Sequence, residues 1–355
     1  MVRLFDIRDV SVVQRLSPLG RALAYEPVAV EGLSPLREAM RSYAAASTDN
    51  RLVMVRRSPE PDAEAFGLMQ LMADEAGSAS AAQRFGVLLY VAPTPRNETV
   101  AAAWIDLVQA MLPLAAARGA MHVIAEAPDE GYELGALQCV GFSPLVHQDV
   151  MKLAHVPGKL DAKDVAGLRE QREGDDPLIR LLAMRTVPKP IQKTESSSDL
   201  TRMMYRVDCG FMLFEQNELA GQVSFRRGKR GYGMQAMFQA SAEPLVEATL
   251  RYAFAQLCGR AQNRPVYCTV PSYQSWLLPI LDKLGFSHVT SNVLMIRHTA
   301  ATVQQPVWTI GAKANARKAL PGRPNAHHTR TAGQRKPSLP THDAAGAPPA
   351  PSLRR

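Results

Sequence analysis

The chain lacks several features that mark particular classes of protein. Its 355 residues include only four cysteines, with no Cys-x-x-Cys pair and no histidines at metal-ligand spacing. Neither a disulfide framework nor a metal site is therefore predicted. No apolar run approaches the roughly 20 residues that a membrane-spanning helix needs. The N-terminus is charged and has no apolar core of signal-peptide length, which favours a cytoplasmic protein.

Most of the chain also lacks net charge. The formal net charge is +8, and residues 311–355 account for all of it, because they contain nine lysines and arginines and a single acid, Asp343. Residues 1–310 are neutral, which argues against a basic nucleic-acid-binding face on them. Residues 300–355 are rich in proline and poor in large apolar side chains, so we predict a disordered tail. Such a tail tethers nucleic acid or an acidic partner weakly, or is only a solvated extension.

An internal repeat is the most informative feature of the sequence. Residues 85–153 and 231–297 share one order of parts: a strand pattern, a long helical stretch, a second strand, a short helix and a closing strand. The short helix ends in Gly-Phe-Ser in both copies, at Gly141 and at Gly285, and a methionine follows ten residues after each glycine. The shared order and spacing predict two homologous halves.

The pattern within each half predicts an α/β fold, a mixed sheet with helices on both faces. Further strand patterns precede the repeated parts in each half, and the second pair of them is joined by a tight hairpin turn at Asn217. The glycine of each Gly-Phe-Ser is expected to adopt the left-handed backbone conformation that ends a helix. The predicted organisation is a domain over 1–155, a linker over 156–176, a second domain over 177–299 and the tail over 300–355. The middle of the linker is compatible with a short exposed helix.

With these parts in place, each half resembles the GNAT superfamily of N-acetyltransferases. In that family a strand ends in V-x-P, a turn with the pattern (Q/R)-x-x-G-x-(G/A) opens a long helix, and a Gly-Phe pair precedes the last strand. The first half has Val91-Ala92-Pro93, then Arg96-Asn97-Glu98-Thr99-Val100-Ala101. The second half is degenerate at this turn, where it has Gln239-Ala240-Ser241-Ala242-Glu243-Pro244. The resemblance implies two tandem GNAT-like folds.

The resemblance also implies acetyl-CoA as a cosubstrate. Backbone N–H groups that open a helix bind a pyrophosphate such as that of coenzyme A. The predicted cofactor-binding residues are Val91, Arg96, Asn97, Glu98, Thr99, Val100 and Ala101, with Thr99 at the family's glycine position. In the second half Pro244 removes an N–H group and Glu243 adds a negative charge beside the expected phosphate. If either half binds acetyl-CoA, we therefore expect it to be the first.

The candidates for the chemistry are few. Transfer of an acetyl group to an amine needs a base, and usually an acid for the leaving thiolate. The tyrosine that often supplies the acid in the resembled family is replaced by Leu137 and Leu281. We predict Glu126 and Tyr132 as catalytic candidates, each also compatible with a rim or packing role. Further alternatives, equally compatible with structural roles, are Tyr273, His122 and His147.

Two functions remain open from the sequence. The first is an N-acetyltransferase that transfers an acetyl group from acetyl-CoA to an unidentified amine, as a monomer or homodimer. The second is a catalytically inactive binding or regulatory protein of the same fold, which the departures at Thr99, Leu137, Leu281 and Pro244 favour. An open groove beside the N–H groups of 97–101 would favour the enzyme, whereas a filled groove would favour the binding protein.

Overall fold

One continuous sheet runs through both halves of the chain. The computed structural model describes residues 1–45, 50–73, 84–156, 164–192, 207–261 and 264–299, so the predicted tail lies outside the described residues. The strands are β1 (Val2–Leu4), β2 (Arg21–Ala22), β3 (Arg51–Arg56), β4 (Ala65–Ala73), β5 (Arg84–Ala92), β6 (Ala120–Pro128), β7 (Ser143–Leu153), β8 (Leu168–Glu170), β9 (Val207–Glu215), β10 (Glu218–Arg227), β11 (Tyr232–Phe238), β12 (Val266–Pro271) and β13 (Ser287–His298). The helices are α1 (Val10–Leu16), α2 (Tyr25–Glu31), α3 (Pro35–Ala45), α4 (Glu98–Ala117), α5 (Tyr132–Cys139), α6 (Asp176–Thr186), α7 (Lys189–Gln192), α8 (Glu243–Ala261) and α9 (Leu278–Lys283).

The two halves exchange their last strands. The strand order is β1-β3-β4-β5-β6-β13-β7-β12-β11-β10-β9-β8, with β2 paired to β5 outside this path. Thus β13 of the second half pairs with β6 of the first, β7 of the first half pairs with β12 of the second, and β7 and β13 pair with each other. The exchange extends to the cores, because Met151 of β7 packs around α8 and Met295 of β13 packs around α4.

The long helices α4 and α8 each bury an apolar stripe along one side. Trp104, Leu107 and Met111 of α4 are fully buried, and so are Val246 and Leu250 of α8. By length and composition α4 could also cross a membrane. Here its apolar side packs on strands of the first half, in the manner of a core helix.

Several local predictions are confirmed. Both Gly141 and Gly285 have positive φ, 87° and 89°, and the N–H group after each glycine bonds back to the carbonyl of Leu137 or Leu281. Gln216 and Asn217 have φ of 49° and 66°, as a tight turn between β9 and β10 requires.

The C-terminal part of the predicted linker forms a strand where a short helix was expected. Its middle does not form a helix over the described residues 164–171, because Leu168–Glu170 is β8, which pairs antiparallel with β9. Pairing with an adjacent edge strand supplies hydrogen bonds that a short exposed helix leaves to water. β8 thus lies beside β9 at the edge of the sheet in the second half, as β1 lies beside β3 at the other edge in the first half.

A buried ion pair joins the two halves. Glu26 of α2 accepts hydrogen bonds from the Arg226 guanidinium of β10 at 2.7 Å and from the Thr269 hydroxyl of β12 at 2.8 Å. The side chains of Glu26 and Arg226 are 3% and 1% exposed. Burial raises the pKa of Glu26, whereas the charge of Arg226 lowers it. Either charge, buried without the other, would therefore destabilise the folded protein.

Removing one partner of this ion pair should destabilise the fold strongly. We expect Arg226→Met to lower the free energy of unfolding by about 3–5 kcal/mol, because it leaves Glu26 buried without its cation. The double variant Glu26→Leu/Arg226→Met should recover most of this loss, because no buried charge is left. Urea denaturation of all three proteins checks this, and a double variant no more stable than Arg226→Met would contradict it.

His122 makes the fold sensitive to acid. Its ring stacks on the Phe85 ring, with 5.6 Å between the ring centres, and His122 lies opposite His298 in the pairing of β6 with β13. Burial, and then the charge of His298, lowers the pKa of His122 to about 4 from its usual 6.5. Between these values the unfolded chain takes up a proton that the folded chain does not, so stability falls as the pH drops from 6.5 to 4.

We expect His122→Phe to remove this part of the acid sensitivity. The phenyl ring keeps the stacking on Phe85 and cannot be protonated. The loss of unfolding free energy between pH 7 and pH 4.5 should shrink by on the order of 1 kcal/mol, allowing for solvent screening. Chemical denaturation at the two pH values measures it, with the exposed His155→Phe as the control. An equal acid response of His122→Phe and the wild type would refute the prediction.

Candidate functional site

The strands β5 and β6 of the first half separate at their C-terminal ends. Their parallel ladder pairs residues 84–87 with 120–124 and then stops. Diverging parallel strands leave a gap with unpaired backbone groups, which another extended chain can enter.

The chain itself fills this first gap. On one side β2 pairs with β5, at Arg21 with Val91 and Ala22 with Tyr90, and the Leu23 N–H donates to Leu89 O at 2.9 Å. On the other side the Glu126 N–H donates to Leu23 O at 2.7 Å. The chain approaches β5 closely, since a Cβ on Gly20 would lie 2.5 Å from side-chain atoms of Tyr90 and Ala92.

The predicted cofactor-binding residues surround the start of α4. Arg96, Asn97, Glu98 and Thr99 are exposed, and Val100 is buried. Asn97 caps the helix, because its Oδ1 accepts the Val100 N–H at 2.9 Å and its carbonyl accepts the Ala101 N–H at 3.0 Å. Two of the N–H groups expected to bind phosphate are thus bonded within the helix, and Val91 pairs with β2. The gap beside these residues thus holds β2, and their assignment to acetyl-CoA stays a prediction.

The corresponding gap of the second half is not bridged. The parallel ladder of β11 and β12 pairs residues 232–234 with 266–268 and then stops. Within the described part of the chain, no strand pairs into the space between residues 235–238 and 269–271. At the end of this gap Gln274 donates to Phe238 O at 3.0 Å. The two halves therefore differ at the place where the fold separates its strands.

The second gap opens into a cavity that both halves line. Its empty space amounts to about 950 Å³, a figure that includes space open to solvent. Its lining from the first half is Leu23, Ala24, Glu26, Pro27, Val87, Ile124, Ala125, Glu126, Val146 and Gln148. Its lining from the second half is Val187, Met234, Gln235, Ala236, Met237, Thr269, Pro271, Tyr273, Gln274 and Leu294.

Glu126 is the central carboxylate of this cavity. Its Oε2 accepts the Tyr25 N–H at 2.9 Å and the Asn292 Nδ2 at 3.3 Å. Burial, helped by the negative charge of Glu26, raises the pKa of Glu126 to about 6, although its hydrogen bonds act in the opposite direction. It is therefore mostly ionised at neutral pH and close enough in pKa to accept and release a proton.

The structure separates the other catalytic candidates. Tyr132, at the start of α5, is 46% exposed and is not part of the cavity lining. Tyr273, which precedes α9, lines the cavity, and burial raises its pKa to about 12. His147 pairs with Asp129 at 2.8 Å on an exposed surface, and His122 packs on Phe85. The pair that shares the cavity is thus Glu126 with Tyr273, and not Glu126 with Tyr132.

Glu26 is a site residue that the sequence analysis did not find. It lies in α2, in a stretch with no counterpart in the repeat, and its helical segment YEPVAVE is otherwise mostly apolar. A carboxylate in an apolar helix face was the one available signal. No group of three or more histidine, cysteine, aspartate or glutamate residues in the described ranges is placed to hold a metal ion.

No protein-family model matches the chain, and no curated protein matches it. A GCN5-related N-acetyltransferase from Sphaerobacter thermophilus is similar over 85% of this chain and 96% of that chain, with 13% identity and a TM-score of 0.50. A tandem GNAT protein from the clavulanic acid biosynthesis pathway is similar over 85% and 99%, with 14% identity and a TM-score of 0.47. A GCN5-related N-acetyltransferase from Anabaena variabilis is similar over 84% and 73%, with 11% identity and a TM-score of 0.38.

At such low identity a structural similarity establishes the fold and not the reaction. The mixed sheet, the paired separating strands in each half and the Gly-Phe turns agree with it. The chain has the fold of the GNAT N-acetyltransferases, built twice along one sheet.

Proposed function

We propose that the protein transfers an acetyl group from acetyl-CoA to an amine in the cavity between its halves. The observation that carries this proposal is a carboxylate of raised pKa, Glu126, in a cavity that opens onto the unbridged gap between β11 and β12. A gap of this kind exposes backbone groups that match an amide-bearing arm such as that of coenzyme A.

The acyl donor is proposed to enter through the second half, not the first. The gap between β5 and β6 already holds β2, whereas the gap between β11 and β12 is open to the cavity. The pyrophosphate would then lie near the N–H groups of Ala240 and Ser241, before α8. Glu243 and Pro244 weaken this position, so most of the affinity should come from the arm.

Glu126 is proposed as the general base. An amine that enters as the ammonium ion pairs with the carboxylate, which then accepts one of its protons. The neutral nitrogen attacks the thioester carbon, so a C–N bond forms while the C–S bond breaks and the thiolate leaves. The nitrogen then loses its second proton and the thiolate takes up one, which leaves the N-acetylated amine and CoA with a free thiol. The Tyr25 N–H and Asn292 hold Glu126 in place. Positioning of this kind supplies much of the rate of a bimolecular transfer.

Tyr273 is proposed to assist the leaving group. Its pKa of about 12 keeps the hydroxyl protonated at neutral pH. A protonated hydroxyl that lines the cavity can donate a hydrogen bond to the departing sulfur, where negative charge develops. The side chain belongs to the second half, as does the proposed entrance for the donor.

Binding without transfer is a second candidate function. It is favoured by the filled gap of the first half and by Glu243 and Pro244 at the start of α8. In that case the cavity would hold a small molecule, and acetyl-CoA would not bind.

Loss of the base should slow transfer without loss of the fold. We expect Glu126→Gln to lower kcat/KM by about 10²–10⁴-fold, since it cannot accept a proton. Tyr273→Phe should lower it by about tenfold or more, and the matched control Tyr132→Phe should not change it. In the wild type kcat/KM should fall below pH about 6, where Glu126 becomes protonated. A steady-state assay of acetyl transfer over pH 5–9 tests this.

Two results would contradict the roles proposed for Glu126 and Tyr273. Full activity of Glu126→Gln would exclude the base, and equal losses in Tyr132→Phe and Tyr273→Phe would exclude the assignment of Tyr273.

A charge introduced at each helix start should reveal which half binds acetyl-CoA. Ser241 and Arg96 are both exposed before their helices. We expect Ser241→Glu to weaken binding at least tenfold by repelling the pyrophosphate, and Arg96→Glu to leave it unchanged. Calorimetric titration of acetyl-CoA into the full chain measures this. The reverse order would place the donor in the first half, and no binding to the wild type at millimolar ligand would leave the binding function.

A further inference from the structure

Charge in the cavity is confined to one uncompensated carboxylate. The charged side chains among the described lining residues are Glu26 and Glu126. The Glu26 carboxylate already pairs with Arg226 at 2.7 Å and Thr269 at 2.8 Å. Glu126 accepts hydrogen bonds from three uncharged partners, the Tyr25 N–H, Asn292 and Gln148, and no Lys, Arg or His is among the described lining residues. The cavity therefore offers one place for a cation.

The wall beside Glu126 is apolar. Leu294 lies directly opposite Glu126 on β13, and Val146 lies opposite Leu294 on β7. Ile124 precedes Glu126 by two residues and so lies on the same face of β6. These three side chains and Val87 belong to one core cluster and line the cavity. A ligand whose cation contacts Glu126 thus has apolar surface for its body within the same space.

The geometry points to an apolar monoamine, an alkylamine or arylalkylamine, as the ligand of this cavity. As the acetyl acceptor this assignment rests on the proposed function. The ammonium group would pair with Glu126, and the hydrocarbon body would cover Ile124, Val146 and Leu294. Burial of the body against apolar surface supplies affinity in proportion to its area.

Two other classes of amine do not fit. An α-amino acid brings a carboxylate next to Glu126, and the described lining has no cation to receive it. A diamine or polyamine brings a second ammonium group, and the second carboxylate, Glu26, already has Arg226. In both cases a charge is buried without a partner, which costs more than the remaining contacts supply.

Binding measured without an acyl donor tests this selectivity. Methylamine, butylamine and phenethylamine are titrated calorimetrically into the full chain at pH 8. We expect the affinity to rise along this series, by about fourfold for each buried methylene. Two matched comparisons each add one charged group, with phenylalanine against phenethylamine and putrescine against butylamine. Each added charge should weaken binding at least tenfold.

A matched pair of variants ties the selectivity to one side chain. Glu126→Gln should weaken phenethylamine binding at least tenfold, and Glu130→Gln, the same change at an exposed turn after β6, should not. Because some variants of a buried residue fail to fold, the ligand series on the wild-type chain decides independently. The inference is overturned if phenylalanine or putrescine binds as tightly as its partner, if affinity does not rise with apolar size, or if no amine binds.

Selective binding of apolar monoamines and acetyl transfer can succeed or fail independently of each other. Amines that bind in the expected order but are not acetylated in a parallel assay would refute the proposed transfer and support the selectivity. Acetylation of amino acids or polyamines in preference to phenethylamine would refute the selectivity and support the transfer.

Discussion

The reciprocal pairing of β7 and β13 is the constraint on which the rest of the structure depends. Each half packs the closing strand of the other into its core, because Met151 of β7 packs around α8 and Met295 of β13 packs around α4. The exchange places β6 of the first half and β12 of the second on opposite sides of the antiparallel pair that β13 and β7 form. For that reason Glu126 and Thr269 line one cavity although 142 residues separate them in the chain. The site is a property of the joined sheet and of neither half alone.

The two halves use the same separated strands in different ways. In the first half the gap holds β2, and the bonds that hold it there also fix Glu126, through its N–H to Leu23 O and its carboxylate to the Tyr25 N–H. In the second half the equivalent gap is left open to the cavity. A duplicated fold can divide labour in this way, since one copy becomes support for a side chain and the other supplies the entrance. The asymmetry is consistent with the drift of both turn sequences from the family pattern.

Much of the fold could be predicted because its signals are local. The stripe on α4, the left-handed glycines and the turn at Asn217 each depend on a few adjacent residues. The gap-filling strand β2 could not be predicted, since two residues without alternation carry no strand signal and their pairing is set by a distant partner. The same holds for the strand exchange, because β13 has the same pattern whichever neighbour it pairs with. Glu126 was predicted from its strand position, whereas Glu26 and its ion pair depend on contacts 200 residues apart.

The strand exchange also governs when this protein can fold. β6 lies at residues 120–128, yet one of its two neighbours in the sheet, β13, begins only at Ser287. During synthesis the first half therefore leaves the ribosome before the strand that covers this edge of β6 in the folded protein, and at typical elongation rates that interval lasts about ten seconds or more. Exposed strand edges of this kind favour pairing with other chains. The interval before β13 is made is therefore a stage at which the first half is prone to pair with other chains.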